Sequence, residues 1–275
     1  MSRQKYFKSK KYGHVFTLIE LMVVLAITSI LATTLLSVMN MARERMKSQE
    51  CVENERYIYS SILEYSHDNL GKVVSCDKQR NWMEEGEVDD TGEVWYITLE
   101  DYGLELAHQP GNDGTSRVRN ASFYCPITGK TGGAAWIDNN PDYGLNVWLA
   151  PSGKTPQSND RSLRKQLRFA SIERLSEKVL LADTSQNGTV LRGDYRLNPS
   201  WIRSPANINK VVGKSISTYA QFAFRHPTPM GDEEVQSDGE CNMVFADGRV
   251  EGVHFSDDRV SSQANLDKML KPKDD

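Results

Sequence analysis

Residues 16–42 decide the fold of this chain, and they read FTLIELMVVLAITSILATTLLSVMNMA. Glu20 is the one ionisable side chain in that stretch. About 20 consecutive apolar residues suffice to cross a bilayer as an α-helix. The sequence therefore predicts a transmembrane helix over residues 16–41. A carboxylate inside such a helix costs roughly 2.5–3.5 kcal/mol on insertion scales, so we expect Glu20 to have a partner and a function.

A basic leader, residues 1–15, precedes the apolar run. It carries five basic side chains and no acidic one, namely Arg3, Lys5, Lys8, Lys10 and Lys11. By the positive-inside bias, these charges hold the N-terminus in the cytoplasm and leave the rest of the chain on the opposite side. Arg43 and Arg45 beyond the span oppose this orientation, but Glu44 dilutes them. We predict a single-pass topology with a cytoplasmic N-terminus.

A cleaved secretory signal is the alternative explanation for such an N-terminus. Its apolar core would be about 7–15 residues long and would end at a small-residue site similar to Ala-x-Ala. The run here is longer, and it lacks that exit. We therefore expect the apolar segment to remain in the mature protein.

The helix is expected to continue beyond the membrane. Neither Gly nor Pro occurs from Val15 to Leu70. Apolar positions then recur at helical spacing on one face, at Cys51, Ile58, Ile62 and Tyr65. The charged positions expected to lie mostly off that face are Glu53, Glu55, Arg56 and Glu64. We predict that residues 42–70 form an amphipathic extension of the same helix, and that it ends near Gly71.

Residues 71–275, here called the head, are expected to form an α+β domain with an antiparallel sheet. Asp247-Gly248 lies between two apolar-alternating runs, a pattern typical of a type I′ hairpin. That turn would place Phe245 opposite Val250. Val94–Leu99 is a further strand candidate. Outside the basic leader the chain carries 28 basic against 37 acidic residues, which argues against nucleic acid as a partner.

The segment from Phe16 to Ile27 resembles the N-terminal cleavage and methylation signature of type IV prepilins and pseudopilins. The resemblance implies that a prepilin peptidase cuts between Val15 and Phe16 and methylates the new amine of Phe16. It also implies that Glu20 pairs with this amine in a neighbouring subunit and so sets the register of a filament. The family usually has Gly where Val15 stands, and it often has Pro near Ser37.

Further segments are similar to prepilin-like proteins of planctomycete and lentisphaera-type bacteria. They include Tyr124-Cys125-Pro126, Tyr143–Asn146, and Arg225-His226 followed by a run that ends at Asp247-Gly248. The last pair resembles a processing-associated H-X9-DG segment, although twenty residues separate His226 from Asp247 here. His226 and Asp247 also suggest a catalytic pair, but Asp-Gly in a hairpin is usually turn chemistry.

The resemblance implies a pilin fold: a long helix stalk packed on the head. Its function would be that of a structural subunit, and not an enzyme, in a type IV pilus or a type II secretion pseudopilus. The implied partners are the prepilin peptidase, an inner-membrane assembly platform and other pilin-like subunits. The implied location is the inner membrane, with the head in the periplasm or in a surface filament.

A membrane-tethered binding module, for polysaccharide or another surface ligand, is the alternative function. Such a module would be exported by the prepilin route. Exposed coplanar tryptophans beside a groove would favour this alternative. A membrane-anchored enzyme is a third hypothesis, and it would need acid and base groups that converge in a cleft.

The four cysteines are Cys51, Cys76, Cys125 and Cys241. In an oxidising compartment they allow two disulfides in any of three connectivities. The resemblance favours Cys51 with Cys125, which leaves Cys76 with Cys241. A Cys/His zinc site is not favoured, since the sequence has no Cys-x-x-Cys and no close His spacing.

A calcium loop is the remaining cofactor hypothesis, and no other cofactor is expected. Asp138, Asn140 and Asp142 have the spacing of alternate oxygen ligands. Leu149, however, stands where such a loop has a bidentate Glu. The sequence therefore favours no metal, with calcium as the alternative.

Overall fold

The computed structural model describes the chain in ten ranges, which are residues 17–76, 94–110, 116–119, 121–128, 141–150, 166–184, 196–197, 222–226, 239–254 and 256–273. The chain divides into two units, Met1–Arg43 and Glu44–Asp275. The first is represented by the beginning of one helix, and the second holds a sheet and its surrounding helices.

A single helix, α1, covers Leu18–Asp68 without interruption. Its first turn is closed by a reciprocal pair of hydrogen bonds between Thr17 and Glu20. The amide of Thr17 donates to Glu20 Oε2 at 2.8 Å, and the amide of Glu20 donates to Thr17 Oγ1 at 3.3 Å. This arrangement is a capping box, which supplies partners for amides that the helix itself cannot bond.

The end of α1 has the geometry of a Schellman cap. Gly71 N donates to Ser66 O at 2.8 Å, so the final turn contains the six residues from Ser66 to Gly71. Leu70 and Gly71 both have positive φ, 58° and 77°. Helices usually place Gly at the position that Leu70 occupies, because a Cβ is strained there. The predicted end near Gly71 is confirmed.

Within the second unit, α1 buries one face. Cys51, Ile58 and Ile62 are fully buried, as the spacing predicted. Glu55 is also fully buried, so its expected position off this face is wrong. Glu55 lies four residues after Cys51 and three before Ile58, which places it in the middle of the stripe.

The main sheet has five strands, in the order Arg196–Leu197, Tyr143–Asn146, Val179–Asp183, Glu240–Phe245 and Val250–His254. Four of them form an antiparallel sheet, β3 (Tyr143–Asn146), β4 (Val179–Asp183), β6 (Glu240–Phe245) and β7 (Val250–His254). The fifth, β5 (Arg196–Leu197), pairs in parallel with β3. A separate two-stranded sheet joins β1 (Ala107–Pro110) to β2 (Ser116–Arg119). This architecture confirms the coarse α+β prediction.

The β6–β7 hairpin forms where it was predicted, but with another turn and another register. Phe245 N donates to Arg249 O, and Gly248 N donates to Phe245 O, so the loop has three residues. Asp247 does not have positive φ, whereas Gly248 has φ 91°. A type I′ turn needs positive φ at both central residues. Val250 therefore pairs with Val244 and not with Phe245.

The sheet is buried on both faces. Val244 packs with the core that contains the buried face of α1, whereas Met243 and Phe245 pack with the opposite core. That second core includes Leu266 and Leu270 of a C-terminal helix. The C-terminal helices are α3 (Asp258–Ser261) and α4 (Gln263–Leu270). The second unit is thus layered as helix, sheet and helix.

One predicted strand is a helix. Trp95–Thr98 forms α2, where Val94–Leu99 was expected to be extended. Trp95 and Leu99 are both fully buried. These residues are four apart, which a helical turn brings to one side and a strand does not keep close. The other connections include short 3₁₀ helices at Glu100–Tyr102, Ala121–Phe123, Pro126–Thr128, Phe169–Ser171 and Leu175–Glu177.

Candidate functional site

The start of α1 is the first candidate site. Val15 and Phe16, the predicted cleavage and methylation residues, lie outside the described residues. Thr17 is the first described residue, and its hydroxyl donates to Glu20 Oε2 at 2.8 Å, in addition to the bonds of the capping box. The carboxylate of Glu20 therefore has partners on its own helix. The sequence had predicted a role for Glu20 but not this cap, although Thr-x-x-Glu before an apolar run is its usual signature.

The side chains of the following turns form an apolar surface. Every large hydrophobic residue from Leu18 to Val38 with a described side chain is at least half exposed. The helix has a window of mean hydropathy 2.4 and is long and apolar enough to cross a membrane. A soluble protein rarely exposes a contiguous apolar surface of this size without something to cover it. The apolar surface is accordingly a candidate for contact with lipid or with other chains.

A disulfide joins α1 to the segment before Pro126. The structure bonds Cys51 to Cys125, which confirms the first pairing that the resemblance implied. The second expected disulfide is wrong. Cys76 packs in the core beside α1 and Cys241 packs in the core on the opposite face of the sheet, so the sheet separates the two thiols.

A cluster of charged side chains lies between α1 and the sheet, fully or almost fully buried. Its members are Glu55, Asp142, Asp183, Arg225 and His226. Arg225 Nη1 lies 3.7 Å from Asp142 Oδ1, and Arg225 Nε lies 4.0 Å from Asp183 Oδ1. Asp142 Oδ2 accepts a hydrogen bond from Cys125 N at 3.0 Å. Neighbouring charges raise the pKa of Arg225 although burial acts to lower it.

Glu55 is the exception in this cluster. Neither carboxylate oxygen has a hydrogen-bond partner in the part of the chain that the structure describes. Burial raises the pKa of the Glu55 carboxyl well above its usual range, and Asp183 raises it further while Arg225 lowers it. A buried ionised carboxylate without hydrogen bonds is costly. The protonated form of Glu55 is therefore favoured in the folded state.

His226 connects the charged cluster to the disulfide. Its Nε2 lies 3.0 Å from Asp183 Oδ2 and 3.4 Å from Cys125 Sγ. The ligand atoms of Cys51, Cys125 and His226 all lie within 4.8 Å of one another. No local pattern in the sequence predicts this approach, because Cys125 and His226 are 101 residues apart.

The remaining predicted site residues do not converge on one place. Asp247 lies in the hairpin loop, where its Oδ1 accepts from Arg249 N at 3.1 Å, whereas His226 pairs with Asp183. Asp138 and Asn140 of the calcium hypothesis lie outside the described residues. Trp95 is fully buried and packs edge-on against Tyr96 and Phe123, as a core residue.

Comparisons with protein-family models, with curated proteins and with solved structures yield no match.

Proposed function

We propose that this chain is a type IV pilin-like structural subunit, inserted in the inner membrane by α1 and assembled into a pilus or a type II secretion pseudopilus. The observation that carries the proposal is the change in character along α1. Its first half exposes apolar side chains on all sides, and its second half buries a single face within the second unit. One helix that serves two environments is what a membrane-stored filament subunit requires.

The N-terminal sequence supports the same function. Phe16-Thr17-Leu18-Ile19-Glu20 resembles the segment that prepilin peptidases process, and it lies directly after a basic leader. The peptidase would act between Val15 and Phe16 on the cytoplasmic side. The new amine, methylated at Phe16, would then face Glu20 of a neighbouring subunit in the filament.

The second unit supports a pilin fold in its layering. The buried face of α1 shares a core with Leu145 of β3, Leu181 of β4 and Val244 of β6. In this proposal the head stands in the periplasm or on the filament surface. The inner-membrane assembly platform and other pilin-like subunits are the partners, and the chain has a structural role without a catalytic step.

The test separates the two roles that Glu20 can have. Glu20→Gln keeps a side chain that can complete the capping box, but it removes the charge. Glu20→Ala removes both. In cells with an active prepilin peptidase and assembly platform, we expect both variants to insert in the membrane and to lose filament incorporation. Thr17→Ser keeps the cap hydroxyl and is the matched control, with normal incorporation.

Two measurements read the outcome. Mass spectrometry of the N-terminus in the membrane fraction should find methylated Phe16, and Val15→Gly should speed the cut. Electron microscopy and immunoblotting of sheared filaments should find the chain in them. Normal filament yield from Glu20→Gln would show that Glu20 acts as a helix cap and not as a charge. Absence of cleavage and of filaments in the unaltered chain would exclude the proposed function.

A further inference from the structure

Two arginines follow the apolar run of α1 at once. Arg43 and Arg45 both lie within the helix, and both have exposed side chains. Glu44 stands between them in the sequence, but its Oε1 lies 3.0 Å from Nζ of Lys47, so it pairs with a third cation. Among the residues that the structure describes, neither arginine side chain has a hydrogen-bond or ion-pair partner. Two guanidinium groups are therefore free to bind an anion.

The length of the apolar run places these charges at one boundary of a bilayer. Residues 21–42 include no ionisable side chain. At 1.5 Å per residue this part of α1 is about 33 Å long. The hydrocarbon core of a bilayer is about 30 Å thick, and the headgroups begin directly outside it. When residues 21–42 span the core, Arg43 and Arg45 reach the headgroups.

We propose that Arg43 and Arg45 bind the phosphate groups of phospholipids in the leaflet opposite the basic leader. This inference rests on the proposed insertion of α1 in the membrane, and it names a lipid contact that the proposed function does not require. Guanidinium matches phosphate in charge, and it can donate two parallel hydrogen bonds to its oxygens. The aliphatic part of an arginine side chain can lie along apolar surface while its charged end reaches the headgroups.

The directions of the two side chains favour lipid over a protein partner. Residues two positions apart are separated by about 200° around a helix of 3.6 residues per turn. A single protein segment docked on one side of α1 would contact one of Arg43 and Arg45 and leave the other unpaired. Lipid headgroups surround a membrane helix, so they can bind both.

The lipid contact would help to fix the depth of α1 in the bilayer. An arginine enters the hydrocarbon core only at a cost, so Arg43 resists movement of the helix toward the leader side. Glu20 lies at the other end of the same uncharged segment. Its depth would then be set by Arg43 and Arg45 as well as by the leader. A defined depth matters for a carboxylate that is to meet a group on another subunit.

The experiment measures how closely arginine side chains approach lipid phosphorus. The full chain, with arginine isotope-labelled at the guanidinium carbon, is reconstituted in vesicles of phosphatidylcholine and phosphatidylglycerol. Solid-state NMR then measures the dipolar coupling between this carbon and phosphorus. We expect a coupled component, and Arg43→Gln/Arg45→Gln should lose most of it, since Arg3 is the one arginine of the leader. The control Arg56→Gln removes a cation that pairs with Glu53 at 2.8 Å, and it should retain that component.

Two further measurements identify the source of the phosphate and separate the possible failures. In dodecyl maltoside micelles with inorganic phosphate we expect no coupling, and coupling there would contradict binding specific to lipid. Resistance to alkaline carbonate extraction reports membrane insertion, and the double variant should resist as the unaltered chain does. If both resist extraction and the double variant retains the full coupling, this inference is overturned while the proposed function stands. Extraction of the unaltered chain would contradict both, because insertion of α1 is their common premise.

Discussion

The two halves of α1 share one backbone and differ in what covers their side chains. Leu31 in the first half is 62% exposed, whereas Ile58 in the second half is fully buried. Both are aliphatic residues in the same helix. The difference lies in the pattern around them, apolar on all sides before residue 42 and one-sided after residue 50. An all-round apolar helix needs a partner from outside the chain, and a one-sided helix finds it within the chain.

The acidic residues of the two halves show the same contrast. Glu20 is exposed and accepts hydrogen bonds from Thr17. Glu55 is fully buried and has no hydrogen-bond partner among the described residues. The acidic side chain in the first half is therefore accessible to groups outside the chain, whereas the one in the second half acts on the stability of the second unit.

Removing the disulfide should have the largest effect. Cys51 and Cys125 are separated by 74 residues, and closing a loop of that size stabilises a fold by about 4 kcal/mol in the chain-entropy account. The double variant Cys51→Ala/Cys125→Ala should lose stability of this order, measured by urea unfolding of the oxidised chain in detergent with tryptophan fluorescence. Cys76→Ala removes one buried sulfur without a crosslink and should lose much less. Equal losses from the two variants would contradict the structural role of the bond.

Matched truncations in the two halves test the comparison directly. Ile58→Ala opens a cavity in the core and should lower the free energy of unfolding by about 2–5 kcal/mol. Leu31→Ala removes an exposed side chain and should change the same transition by less than about 0.5 kcal/mol. Both are measured by urea unfolding with tryptophan fluorescence, which reports the second unit. A comparable loss from Leu31→Ala would mean that the first half also stabilises that unit.

The buried carboxyl should make stability depend on pH. The pKa of Glu55 is raised in the folded state, so the folded chain holds this proton more tightly than the unfolded chain. Its contribution is present below the unfolded pKa of about 4.3 and is lost as pH rises toward the folded pKa. Glu55→Gln should therefore gain stability relative to the unaltered chain as pH rises above about 4.3, by about 1–3 kcal/mol at neutral pH.

Urea unfolding at a series of pH values measures this difference. Glu20→Gln is the control, because its carboxylate is exposed and lies in the other half of α1. It should follow the unaltered chain at every pH. A gain from Glu55→Gln that does not change with pH would show that the Glu55 carboxyl does not titrate on unfolding.

The smallest effect is expected at the end of α1. Leu70 has φ 58° and its side chain is 74% exposed, so it bears backbone strain without burying much surface. Left-handed backbone costs an L-residue roughly 1–2 kcal/mol, part of which Gly recovers. Leu70→Gly should stabilise the second unit by about 0.5–1 kcal/mol. Leu70→Ala keeps a Cβ and should give no gain in the same unfolding measurement.

Local patterns in the sequence were sufficient to predict α1, but they predicted little of the candidate functional site. The absence of Gly and Pro gave the length of α1, and spacing gave the burial of Ile58 and Ile62. The prediction for Glu55 was wrong because it followed from the charge of the residue, whereas its position in the middle of the apolar stripe determines its burial. The charges that act on its carboxyl, Asp183 and Arg225, come from segments far along the chain.

The hairpin and the cysteines show the same limit. Asp247-Gly248 correctly predicted the position of the turn. Only Gly248 has positive φ there, however, so the turn type and the pairing register of the two strands differ from the prediction. Four cysteines suggested two disulfides, yet only a three-dimensional sheet could separate Cys76 from Cys241. The approach of His226 to Cys125 arises from the fold as a whole, so no short sequence motif predicts it.

The disulfide also determines how a pulling force would travel through the molecule. Cys51 lies seven residues after the boundary between the two units, and its bond leads directly to Cys125. Tension applied along the first half of α1 would pass through this covalent bond to the second unit. Residues 52–124, which include Glu55 and the rest of the packed face of α1, would be bypassed. The protein could then be stretched from its N-terminus without its helix being peeled from its sheet.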